Sequence, residues 1–148
     1  MRRGGGWGLA KAAELNGLPG PAHLLEMRDQ IPLRADQVAD IQALFDDMKT
    51  RAIEKGELLI ALESRLEDHF QNRTINEGIL TQTLSEIAAA RKDLRYVHLS
   101  THLQTPKILT ADQISRYNKL RGYGAPDPCK NVPVGHDAKM WRQHNGCD

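Results

Sequence analysis

Leu33-Arg34-Ala35-Asp36-Gln37 and Leu109-Thr110-Ala111-Asp112-Gln113 decide how this chain is read. Each opens a helix, and together they bracket a long, polar, helix-rich stretch. In the second copy Thr110 is suited to cap the helix, and Gln113, three residues on, reaches back to complete a capping box. The first copy has Arg34 at the cap position. There Pro32 stops the preceding helix, and Asp36 offers a side-chain oxygen instead. A turn and helix start repeated in this way imply two similar corners in one helical hairpin.

Upstream of the first corner, residues 1–20 are Gly-rich and end in Leu18-Pro19-Gly20-Pro21. They read as a loose arm with one helical turn around Leu9–Leu15. Pro21 suits the first turn of a short helix through His23, Leu24, Leu25 and Met27, which Gln30-Ile31-Pro32 ends. Downstream of the corner the spacing predicts a long helix from Ala35 to Phe70. Its apolar residues step by three and four: Val38, Ile41, Phe45, Met48, Ala52, Leu59, Leu62 and Leu66. Leu44, Leu58 and Ile60 widen this stripe, so the helix needs more than one partner or a dimer mate.

Asn72–Glu77 is the expected hairpin turn. A second long helix over 77–104 has Leu80, Leu84, Ile87, Ala90, Leu94, Val97 and Thr101 on its inner face, and Pro106 ends it. The last core helix runs from Thr110 to Arg121 and buries Ile114, Tyr117 and Leu120. Beyond Gly124 the chain is Pro/Gly-rich and polar, with one short helix expected over 137–144 and Asn145-Gly146 as its C-cap. The divisions are thus an arm (1–20), an all-α helical domain (21–124) and a tail (125–148).

At 148 residues the chain is about one domain, and with 5% aromatics it favours a Leu/Ile/Ala-packed helical core over a β-sandwich. A net charge of +1 gives no nucleic-acid signature. The charge is unevenly placed. The stretch 40–68 is acidic and 91–121 is basic, so two antiparallel helices would attract along their flanks, unless these are simply solvated faces. No run is apolar and long enough to span a membrane. Met1-Arg2-Arg3-Gly4-Gly5-Gly6-Trp7 has no apolar stretch behind its arginines, so it is not a signal peptide as it stands. A cytosolic protein and a processed exported one both fit.

His98 and His102 lie four apart on a helix, so both imidazoles leave one face, and His23 and Met27 repeat that spacing. Such pairs are two-ligand platforms for copper, nickel, cobalt or zinc. The competing reading makes Met27 a core filler and the histidines solvated. In the tail, His136, Met140 and His144 form an i, i+4, i+8 stripe with Cys147 just beyond and Cys129 upstream. That is either a second, copper-type site or a disulfide between the cysteines with the rest incidental. His69 reads as exposed. There is no nucleophile elbow, P-loop, zinc-protease motif or catalytic triad, and the reading is of a protein that is not an enzyme.

The helix order is short, long, long, short, with a Leu-Thr-x-x-Gln-type motif at the start of the second and fourth helices. In this, the stretch from Pro21 to Gly124 resembles the heavy-metal-resistance and Spy/CpxP family of bacterial periplasmic proteins. Leu109, Thr110 and Gln113 fit the motif fully, whereas Leu33 and Gln37 keep it with Arg34 in the Thr position. The resemblance implies a hooked four-helix hairpin, usually a homodimer, exported to the periplasm with its signal segment removed. One branch of the family is an ATP-independent chaperone for unfolding clients and acts in envelope stress. The other binds transition metals and includes nickel/cobalt-responsive sensors that work with a membrane partner. In those sensors one ligand pair precedes the first motif and another precedes the second. His23 with Met27, and His98 with His102, stand at those places. The sensors' carboxylate from the second helix falls near Phe45 in Leu44-Phe45-Asp46-Asp47. The resemblance therefore implies a periplasmic metal-binding protein, or alternatively a chaperone.

Overall fold

The computed structural model describes residues 8–123, 132, 137–144 and 147, and among these the chain is helical with no strand. Its helices are α1 (Lys11–Glu14), α2 (Pro21–Glu26), α3 (Ala35–Gln71), α4 (Glu77–His102), α5 (Thr105–Ile108), α6 (Ala111–Arg121) and α7 (Ala138–His144). The two long helices stand where the apolar stepping put them. α5 differs from expectation. Pro106 does not only end α4; it sits in the first turn of a new helix, where its missing N–H has no partner to lose. Residues 72–76 separate α3 from α4. Arg73 takes a left-handed φ of 54°. The N–H groups of Arg73 and Thr74 donate to the Phe70 and His69 carbonyls, closing α3 in a Schellman arrangement. Asn76 then caps α4 by accepting from Ile79 N–H at 2.9 Å. In the tail, Asp137 caps α7 by accepting from Met140 N–H at 2.9 Å. The expected Asn145-Gly146 cap lies outside the described residues.

The chain groups into two compact units. Among the described residues, the long-helix unit comprises residues 8–10 and 43–101, and the motif unit comprises Lys11–Gln42 and the residues from His102 onward. Lys11–Gly20, read from sequence as part of an arm, belongs to the motif unit, where Ala13 and Pro19 are buried.

In the long-helix unit Met48, Ala52, Leu59 and Leu62 of α3 pack with Ile87, Ala90, Leu94 and Val97 of α4, and Leu9 joins them. Each fully buried aliphatic side chain contributes about 1.5–3 kcal/mol by leaving water. The flanks carry ion pairs between the helices, Arg65 with Glu86 and Arg91 with Glu63. The second is the expected pairing of the acidic stretch with the basic one. Leu84 is a correction: placed on the inner face by its spacing, it is 47% exposed, and Thr83 is buried in its stead. His69 is half-buried, with its Nδ1 2.9 Å from the Thr74 hydroxyl.

The motif unit has an apolar cluster of Leu24, Ile31, Ile41, Leu109, Tyr117 and Tyr123. Beside it lies a polar lock made by the two motifs. Gln37 and Gln113, 1% and 7% exposed, donate to each other's side-chain carbonyl at 2.9 Å in both directions. Gln37 also donates to Ile108 O at 2.8 Å, and Gln113 to Pro32 O at 2.8 Å. Each amide oxygen further accepts the backbone N–H that opens its own helix, Arg34 N–H at 3.0 Å and Thr110 N–H at 2.9 Å. Both amides are thus fully used, and the residue before each motif leucine serves the other motif's glutamine. Thr110 completes the capping box through Gln113 N–H. Arg34 forgoes only that bond, and its guanidinium pairs with Asp36 at 2.8 Å. The Asp36 carboxyl, offered as the cap, is held below its ordinary range chiefly by Arg34, with the backbone N–H groups of Asp36 and Gln37 adding to this. Gly122 ends α6 at φ 73°, a left-handed conformation that glycine adopts without strain. Leu120, expected inside, is 45% exposed.

Candidate functional site

The residues best placed for chemistry lie in the motif unit, around the connector from α1 to α2. Three backbone or near-backbone contacts fix that connector. His102 Nδ1 lies 2.8 Å from Leu18 O. The Thr105 hydroxyl donates to Pro19 O at 2.7 Å. Gly20 packs against the His102 ring. Because a carbonyl oxygen only accepts, His102 Nδ1 carries the proton, and in the neutral ring Nε2 holds the lone pair. His102 is 5% exposed, so the reading that made it a solvated residue does not hold. His98 is likewise buried at 3%. It lies in the long-helix unit, whereas His23, Met27 and His102 belong to the motif unit.

Glu14, at the end of α1, joins the histidines. Its Oε1 is 2.5 Å from His23 Nδ1, and its Oε2 is 4.0 Å from the Arg121 guanidinium. Burial is the largest influence on Glu14 and pushes its pKa up. The His23 hydrogen bond and charge, then Arg121 and His102, outweigh it and hold the carboxyl below its ordinary value. Glu14 is therefore ionised at neutral pH, and His23 Nδ1 is the donor to it. Tyr117, fully buried, has its ionisation raised far above normal, first by burial and then by the Glu14 charge, with Arg121 opposing. Arg121 lies 5.5 Å from the Tyr123 ring centroid in a cation–π contact.

Met27 lies just past the end of α2 and packs against the apolar cluster of Leu24 and Ile31, as the core-filler reading expects. Among the described residues no three His, Cys, Asp or Glu side chains already stand in a metal-holding array. In the tail, Cys147 is disulfide-bonded, so in this state it is no thiolate ligand. Met140 is 59% exposed. Cys129, His136 and the His144 side chain lie outside the described residues.

Sequence reasoning missed Glu14, Gly20 and Thr105. Nothing local marks them. Glu14 matters only because the Leu18–Gly20 connector folds α1 back, and that fold is set by contacts distant in sequence. Comparisons with family models, curated proteins and solved structures return no match for this chain.

Proposed function

We propose that this chain is a transition-metal-binding protein of the bacterial envelope, of the heavy-metal-resistance or sensing kind. One observation carries the reading: both His23 and His102 commit Nδ1 to an oxygen acceptor, a carboxylate and a backbone carbonyl respectively. That is how proteins orient a metal-ligating imidazole, since the outer bond fixes the tautomer and leaves Nε2 as the donor atom. Imidazole nitrogen suits zinc, copper, nickel and cobalt, and a chain of this kind needs no catalytic machinery. The reading carries with it the hooked four-helix hairpin, the homodimer and the periplasmic setting that the Leu-Thr-x-x-Gln resemblance implies. No helix among the described residues is long and apolar enough to cross a membrane.

Calorimetric titration with Zn²⁺ or Ni²⁺ tests it. The wild-type chain is expected to take one ion per protomer. His102→Gln and His23→Ala, each shown folded by circular dichroism, are expected to lose the binding heat. Equal heats from all three proteins would remove the histidines from the site.

A second reading, as an ATP-independent chaperone, has its own support in the long-helix unit. Leu59, Ile60, Leu66 and Phe70 line an open groove of about 560 Å³ bordered by Glu63, Glu67 and Arg91. Phe70 is 55% and Tyr96 62% exposed. Exposed apolar surface beside charge is what client holding requires. Under this reading Phe70→Ser weakens suppression of client aggregation while His102→Gln leaves it intact. The metal reading expects the histidine variant to show the larger change in ion binding.

A further inference from the structure

The open groove of the long-helix unit has a shape and a charge that narrow what it can hold. Leu59, Ile60, Leu66 and Phe70 line it, with Glu63, Glu67 and Arg91 at its rim. All of these but Arg91 come from α3, and Leu59 to Phe70 covers about three turns, or about 16 Å of helix axis. Two helices present no strand edge. An extended peptide lying here would leave backbone N–H and C=O groups against aliphatic carbon without partners. A helix carries its backbone bonds within itself and offers side chains alone, the helix-in-groove mode. The rim charge is unequal. Arg91 is taken by Glu63. Glu67 has the neutral Gln71 amide beside it at 3.3 Å, and among the described residues no lysine or arginine pairs with it. Arg65 of the same helix pairs with Glu86 and lines a different cavity. The rim therefore carries one carboxylate in excess, close in sequence to the exposed Phe70 ring. Such a rim favours a cation at the mouth of an apolar floor.

We propose that this groove docks an amphipathic helix with a cationic flank, its apolar side chains on the Leu59–Phe70 floor and a lysine or arginine against Glu67. The inference rests on the client-holding reading above and narrows it to one class of client. It is independent of the ion-binding reading, whose histidines are not among the lining residues. The two anchors act separately. Phe70 supplies apolar area to be covered, and Glu67 sets the sign of charge that is accepted.

The test is fluorescence anisotropy of the full chain with a dye-labelled leucine–lysine peptide of about 18 residues, amphipathic as a helix, against its leucine–glutamate counterpart. The lysine peptide is expected to bind at least about tenfold more tightly, with the gap closing in high salt. Phe70→Ser is expected to weaken that binding about tenfold, and Glu67→Lys about fivefold. Both side chains are exposed, and circular dichroism checks that both variants fold. Equal binding of the two peptides, or binding unchanged by Glu67→Lys, overturns the proposal. So does a wild-type dimer in sedimentation that Phe70→Ser turns into a monomer, because a second copy of the chain then fills the groove. If the lysine peptide binds as described but an unfolding client still aggregates, the chaperone reading falls and the groove is a docking site alone. If the client is protected while neither peptide binds, the inference alone fails.

Discussion

In the long-helix unit α3 and α4 meet through an aliphatic seam with ion pairs on its flanks. In the motif unit two glutamine amides meet in the centre, and a glutamate and two histidines gather around one connector. The first arrangement is forgiving. Aliphatic residues of similar volume replace one another at little cost, and exposed ion pairs add little. The second is exacting, because each buried donor needs its one acceptor in place. A centre of that kind holds side chains in a single geometry, and the candidate ligands are found in the unit that has it.

The largest effect is expected in the seam itself. Leu94→Ala in α4 is expected to cost about 3 kcal/mol in chemical denaturation, within the ordinary span for a buried leucine. An effect under about 1 kcal/mol would mean that the seam is not the core of its unit.

The lock is next. Gln113→Ala strands Gln37, Pro32 O and Thr110 N–H, and about 2 kcal/mol is the expected loss. Gln37→Ala strands the corresponding set and should match it. The double variant should cost clearly less than the two together, because each single change already spoils the partner. Strict additivity in that cycle would show that the two amides act independently.

Two pH effects sharpen the contrast, since both titrating groups lie in the motif unit. Glu14 has a folded pKa below its unfolded value. Its contribution is present above the unfolded pKa and is lost as pH falls through the lower, folded one. Metal-free wild type should therefore lose stability faster than Glu14→Gln as pH drops below the usual carboxylate range. Tyr117 has a raised pKa, so its contribution is whole below the ordinary tyrosine value of 10.0 and fades as pH rises above it. Tyr117→Phe should flatten that alkaline loss. Parallel stability curves for wild type and variants would count against both assignments.

The smallest effect is expected at the flanks of the seam. Arg91→Ala removes an exposed pair with Glu63, and less than about 0.5 kcal/mol should follow, shrinking further in high salt. A loss of several times that size would give the ion pairs a share in the unit that their exposure does not suggest.

The long helices were legible because their signal is local. Apolar steps of three and four, an Asn cap and a capping box act over one or two turns, and Ile87, Leu94 and Thr110 stand where that pattern puts them. Leu84 and Leu120 were misplaced because spacing gives a helix face but not how far the neighbouring helix covers it. The motif glutamines were legible as helix starts, yet their mutual bond spans residues 37 and 113 and no local pattern displays it. Glu14 was illegible for the same reason. His102 was visible only as half of a spaced pair, and its burial depends on Leu18 and Gly20 folding over it.

The proposed ion binding belongs to the polar motif unit and not to the aliphatic one. Backbone ¹H–¹⁵N NMR during Zn²⁺ titration tests it most directly. The amides of Glu14, Gly20, His23 and His102 are expected to shift together and saturate at one equivalent, while those of Met48, Leu59, Ile87 and Leu94 stay in place. Shifts centred on the long-helix amides, or no shift at any concentration, would contradict the claim.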